Sequence, residues 1–122
     1  MSNHPYTKKV QSHLSNFADL RDASMEKFCS GSRFSDFDLS MNLKEEGTGW
    51  NTLKDLERKS RCAIHALANP RAKMDELSRA CSFTDHTYIS SKFRQWFGFA
   101  WIDYKSRPTD HQRKVLREAA YS

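Results

Sequence analysis

Apolar residues recur along this chain at intervals of three and four, and strict alternation is scarce, so the pattern predicts helices. Val10, Leu14, Phe17 and Leu20 mark one side of a first helix over about 7–20. The stretch DASMEKFCSGS predicts a short second helix. Ser24 caps it, because a serine hydroxyl accepts from the first-turn amides, and Gly31 and Ser32 supply the turn after it. Ser35 caps a third helix through SDFDLSMNLKEE, and Gly47 stops it by taking the left-handed conformation that closes a helix.

A longer helix is expected over 50–68, with Leu53, Leu56, Ser60, Ala63, Ile64 and Leu67 in a stripe until Pro70 breaks it. KMDELSRAC predicts another short helix. Thr84 then caps a helix that runs to Phe97, with Asp85 in its first turn to offset the helix dipole and Gly98 as its stop. AWIDYKSR predicts a short helix before Pro108, and the tail TDHQRKVLREAAYS one more, terminal and prone to fraying.

The order of short helix, turn, capped helix and glycine stop occurs twice, over Met25–Gly47 and Met74–Gly98. The expected architecture is therefore all-α, with about seven helices in a single domain over 1–122. Two helix-turn-helix lobes, about 7–48 and 73–107, are joined by the long linker helix at 50–68, and a tail follows over 108–122.

The second helix of each lobe presents a distinct face. Over 84–97, Ile89, Phe93, Trp96 and Phe97 fall together on the side expected to be buried. Thr87, Ser91, Arg94 and Gln95 lie opposite, flanked by Tyr88 and Ser90. Small side chains let a helix enter a major groove about 12 Å wide, and hydroxyls donate or accept at base edges. Over 35–46, Leu39 and Leu43 are expected inside, and Phe37, Met41, Lys44 and Glu45 outside with Asp38 and Ser40 alongside. Asp36, Asp38, Glu45 and Glu46 would oppose phosphates there. The lobes thus read as alike in scaffold and different in surface.

Charge sharpens this contrast. The net charge is +5, but residues 1–49 hold six Lys/Arg against seven Asp/Glu, while 50–122 hold fourteen against eight. The basic part suits a polyanion partner. No apolar run approaches the roughly 20 residues of a membrane helix. MSNHPYTKKV lacks the apolar core of a secretory signal, and three widely spaced cysteines imply reduced thiols, so a cytoplasmic protein is expected.

LSRACSFTDHTYISSKFRQWFGFAWIDYKSR resembles the second helix-turn-helix of the AraC/XylS family of transcription regulators. Leu77, Ala80, Phe83, Asp85, Tyr88, Ser90, Phe93, Arg94, Phe97, Gly98 and Tyr104 stand at matching positions. AIHALANPRAKMDEL is similar to the family's linker helix and its exit, through Ala63, Leu67, Pro70, Met74 and Glu76. SMEKFCSGSRFSDFDLSMNLKEEGT resembles the first helix-turn-helix, one residue short before Gly47. The three motifs keep the family's order and cover nearly all of 10–105. The chain looks like a single-domain member of the MarA/SoxS kind or a DNA-binding half.

The resemblance implies two recognition helices in major-groove segments about one turn apart on one DNA face. Carried over by position, Thr87, Tyr88 and Ser91 would read bases, with His86 and Ser90 beside them and Arg94 on a phosphate. In the first lobe Phe37, Ser40 and Met41 would read bases, with Lys44 on a phosphate. This sequence also departs from the family. Met41 stands where arginine is common, Asp36 and Asp38 replace neutral or basic residues, Ser82 replaces a turn glycine, and Trp101 replaces a proline.

No nucleophile elbow or glycine-rich phosphate loop is present, so no enzyme and no cofactor are expected. Cys62 and His65 lie three apart without a second pair, so no metal site is expected, and the cysteines are assigned to small core positions. The resemblance therefore implies a monomeric, sequence-specific regulator of transcription that binds double-stranded DNA and recruits or blocks RNA polymerase, activation being the commoner outcome in the family. The alternative is a protein-interaction module on the same scaffold, with weak or one-lobed DNA binding, that modulates RNA polymerase or another regulator through Phe37, Asp38, Met41 and Glu45.

Overall fold

A computed structural model describes residues 4–31, 34–83 and 86–120, the side chains of His86 and Thr87 excepted. Among these residues every regular element is helical. The chain divides into two compact units at Glu57 and Arg58, within one helix.

The first unit holds α1 (Pro5–Ser15), a 3-10 turn (Leu20–Asp22), α2 (Met25–Ser30), α3 (Asp36–Glu45) and the start of α4 (Trp50–Ala68). Its core is Val10 and Leu14 from α1, Leu20, Ala23, Cys29, Leu39, Leu43 and Leu53. The first helix is thus shorter than periodicity predicts. It ends at Ser15, and Asp19 accepts from the Arg21 N–H to start the turn that carries Leu20 inward. Leu20 reaches the core by a change of direction, which a single helical stripe does not anticipate.

The caps in this unit follow the sequence. The Ser24 hydroxyl accepts from the Lys27 N–H at 3.2 Å, and that of Ser35 from the Asp38 N–H at 3.1 Å. Gly47 has φ +83°; its N–H bonds the Lys44 carbonyl while the Thr48 N–H reaches back to Leu43. That pair of bonds is the Schellman closure.

The second unit holds the rest of α4, α5 (Met74–Ala80), α6 (His86–Phe97), α7 (Trp101–Ser106) and α8 (Asp110–Ala120). Its core joins Cys62, Ala63 and Ala66 of α4 to Leu77, Cys81, Phe83, Ile89, Phe93, Phe97, Trp101, Tyr104 and Leu116. The inward stripe of α4 is therefore built from small residues in its second half. Leu56 and Ile64, placed in the stripe by periodicity, are about half exposed. Cys62 and Ala66 take the inner positions because small side chains let neighbouring elements approach closely.

The described residues form eight α-helices, and the tail helix expected to fray is among them, docked on its unit. Thr109 and Gln112 form a reciprocal capping box: the Gln112 N–H donates to the Thr109 hydroxyl at 3.1 Å, and the Thr109 N–H to the Gln112 side-chain Oε1 at 3.0 Å. Leu116 and Ala120 are buried, and the Ser60 hydroxyl donates to the Ala120 carbonyl. Fraying is opposed at both ends of α8. No described helix is long and apolar enough to cross a membrane.

Candidate nucleic-acid interface

The turn after α5 closes that helix on a left-handed residue. Ser82 has φ +62°, a left-handed conformation that disfavours any side chain, and it stands where the resemblance places glycine. The Ser82 N–H bonds the Arg79 carbonyl at 3.1 Å and the Phe83 N–H the Ser78 carbonyl at 2.9 Å, the same closure that Gly47 makes. The buried Ser78 hydroxyl donates back to the Phe83 carbonyl at 3.1 Å, so the turn is tied at two levels. Phe83 is buried, with the rings of Tyr88 and Trp96 at 5.1 and 6.0 Å and the Arg58 guanidinium 4.9 Å from its centroid.

This wedge fixes which face α6 shows. Ile89, Phe93 and Phe97 are buried and Trp96 half-buried, as the projection predicts. Tyr88 is half exposed, and Ser90, Ser91, Arg94 and Gln95 are exposed. Thr84, Asp85 and the side chains of His86 and Thr87 lie outside the described residues, including the expected cap at Thr84. Gly98 closes the helix at φ +82°, its N–H on the Arg94 carbonyl at 2.9 Å.

One basic residue joins this face that periodicity did not single out. The Lys92 ammonium lies 5.9 Å from the Tyr88 ring and 6.0 Å from that of Trp96, which steadies it between two aromatics. The spacing of Tyr88, Lys92 and Trp96, four apart each, was the available signal. Arg79 of α5 is exposed, 3.9 Å from Asp75 in an exposed pair of small energetic weight. The unit as a whole, over 58–122, carries thirteen Lys/Arg against six Asp/Glu.

Trp101 has a clear structural role where the resemblance expects proline. Its ring is buried against Phe93 and Tyr104, and its indole N–H donates to the Ala72 carbonyl at 2.9 Å. It ties α7 to the segment between α4 and α5.

The exposed face of α3 differs in kind. Leu39 and Leu43 are fully buried, while Phe37 is 72% exposed and Met41 45%. Asp38, Ser40, Lys44 and Glu45 are exposed around them. The Ser40 hydroxyl donates to the Met25 sulfur at 3.5 Å, so it is turned toward α2. Asp36 and Asp38 occupy the first turn and Lys44 the last, which offsets the helix dipole at both ends.

Glu46, grouped by sequence with the acids on this face, is engaged elsewhere. Its carboxylate accepts from the N–H groups of Tyr6 and Thr7 and from the Thr7 hydroxyl.

All three cysteines are buried. Burial, then the Asp36 carboxylate, pushes the Cys29 thiol up to about 11. A hydrogen bond with Cys81, then burial, holds the Cys62 thiol well above its ordinary value. Raised thiols of this kind are unreactive. Among the described residues no group of three or more His, Cys, Asp or Glu is placed to hold a metal ion.

No protein-family model, curated protein or solved structure matches the chain.

Proposed function

We propose that this chain is a sequence-specific regulator of transcription that binds double-stranded DNA through α6. The observation that carries the reading is the exposed row of Tyr88, Ser90, Ser91 and Arg94 on a helix that packs through Tyr88 and Trp96 on the Phe83 ring, in a strongly basic unit. In this reading α5, the turn and α6 are a helix-turn-helix, and α2 and α3 are its counterpart in the first unit. Hydroxyls and a phenol at the groove floor discriminate base edges, while Arg94, Lys92 and Arg79 meet phosphates. The resemblance to AraC/XylS regulators supports the same assignment, with activation through RNA polymerase as the outcome.

Selection from random duplex pools, followed by a salt titration, tests it. Enrichment of a defined motif whose affinity falls steeply with salt is the expected result. Binding with no sequence preference, or none, rejects base reading by α6.

A further inference from the structure

The first unit carries a convex apolar feature and a concave one, and their charges are opposite. Phe37 and Met41, four apart on α3, form the knob, with the exposed carboxylates of Asp38 and Glu45 and the exposed Lys44 around it. The hollow is a groove of about 550 Å³ walled by Phe28, Phe34 and His13 and edged by Lys8 and Lys9. Lys9 keeps its ammonium at that edge, 5.3 Å from the Phe34 ring centroid and 5.8 Å from that of Tyr6. Phe34 lies three residues before Phe37, and α1, which supplies the lysines, packs on α3. The groove wall therefore leads directly into the helix that bears the knob.

We propose that this surface pairs two copies of the chain about a two-fold axis, each Phe37–Met41 knob entering the groove of the other copy. A two-fold interface uses the same patch on both partners, so the patch must carry a shape and its complement together. This one does, in apolar relief and in charge: acids outnumber the one lysine, Lys44, around the knob, and lysines edge the hollow. DNA is a poor occupant for the knob, since Asp38 and Glu45 would face phosphates. Two apolar anchors per copy make a small interface, so the dimer is weak and forms with rising concentration.

Self-association itself is measured without DNA, so its failure and that of the DNA reading are separate results.

The test is sedimentation velocity on the full chain from micromolar to several hundred micromolar, at low and moderate salt. A shift toward dimer is expected, weakened by salt. Phe37→Ala with Met41→Ala should raise the dissociation constant about tenfold or more. Both side chains are exposed, and an unchanged thermal melt confirms that the variant is folded. Lys8→Glu with Lys9→Glu should weaken pairing, and so should Asp38→Lys with Glu45→Lys, while all four together should restore it. A wild-type chain that stays monomeric throughout overturns the proposal. So does a dimer indifferent to Phe37 and Met41, or a fourfold variant that fails to recover.

Discussion

The Glu46 carboxylate accepts from the Thr7 N–H at 2.8 Å and from the Thr7 hydroxyl at 2.7 Å, with the Tyr6 N–H at 3.1 Å. A residue just past the end of α3 thereby caps the start of α1, about forty positions earlier. Such a cap satisfies amides that a helix start leaves open, and a negative charge there also offsets the helix dipole. Burial pushes this carboxyl up, but the bonds from Thr7 and Tyr6 outweigh it and leave the carboxyl below the usual glutamate range. Its stabilisation is therefore complete above the unfolded glutamate value and is lost as pH falls through the lower folded value. Glu46→Gln should cost about 1 kcal/mol at neutral pH. In thermal melts across pH, the gap between the two proteins should close in acid. A gap independent of pH would assign the effect to shape and not charge.

Trp101→Phe should keep most of the ring packing and remove the bond to the Ala72 carbonyl. Ala72 is buried, so its carbonyl is left without that donor, and a loss of about 1–3 kcal/mol is expected. Urea unfolding measures it. An unchanged midpoint would mean that the carbonyl finds water.

At Ser82 the left-handed backbone ranks substitutions by their φ tolerance. Ser82→Val should destabilise by roughly 1–3 kcal/mol, because a β-branched residue is strained at positive φ. Ser82→Gly should be tolerated far better than valine, since glycine adopts this conformation freely. Equal melting temperatures for the two variants would contradict the turn geometry.

Arg94→Ala should reduce the slope of log affinity against log salt by about 0.9, the equivalent of one phosphate. Ser91→Ala should instead shift preference at one base pair, by roughly 1–3 kcal/mol. Parallel binding curves on matched and mismatched duplexes separate these effects. A Ser91 variant that loses affinity equally on every sequence would remove it from base reading.

Much of the candidate surface was legible in the sequence because a single helix projects its faces predictably. Ile89, Phe93, Leu39 and Leu43 went inward and Phe37, Met41, Ser91 and Arg94 outward, as a 3.6-residue period requires. Lys92 and Arg79 were missed because their place depends on an aromatic neighbour or on an adjoining helix, not on the stripe alone. The groove edged by Lys8 and Lys9 has no sequence signature, since α1 and α2 and the Phe34 segment all contribute to it.

The sequence by itself determined every helix except the extent of the first, with the serine caps at 24 and 35 and the glycine stops at 47 and 98, because these depend on bonds within a few residues. It also determined that the C-terminal part is basic. Only the tertiary structure decided which hydrophobic residues are spent on the core. Leu56 and Ile64 share the helical period of α4 yet remain half exposed, while Cys62 and Ala66 pass inside. It also decided that Glu46 serves α1, that α8 docks by Leu116, and that Ser82 accepts a glycine's backbone. The physical reason is range: caps and periods are local, whereas close packing selects by volume among side chains distant in the chain.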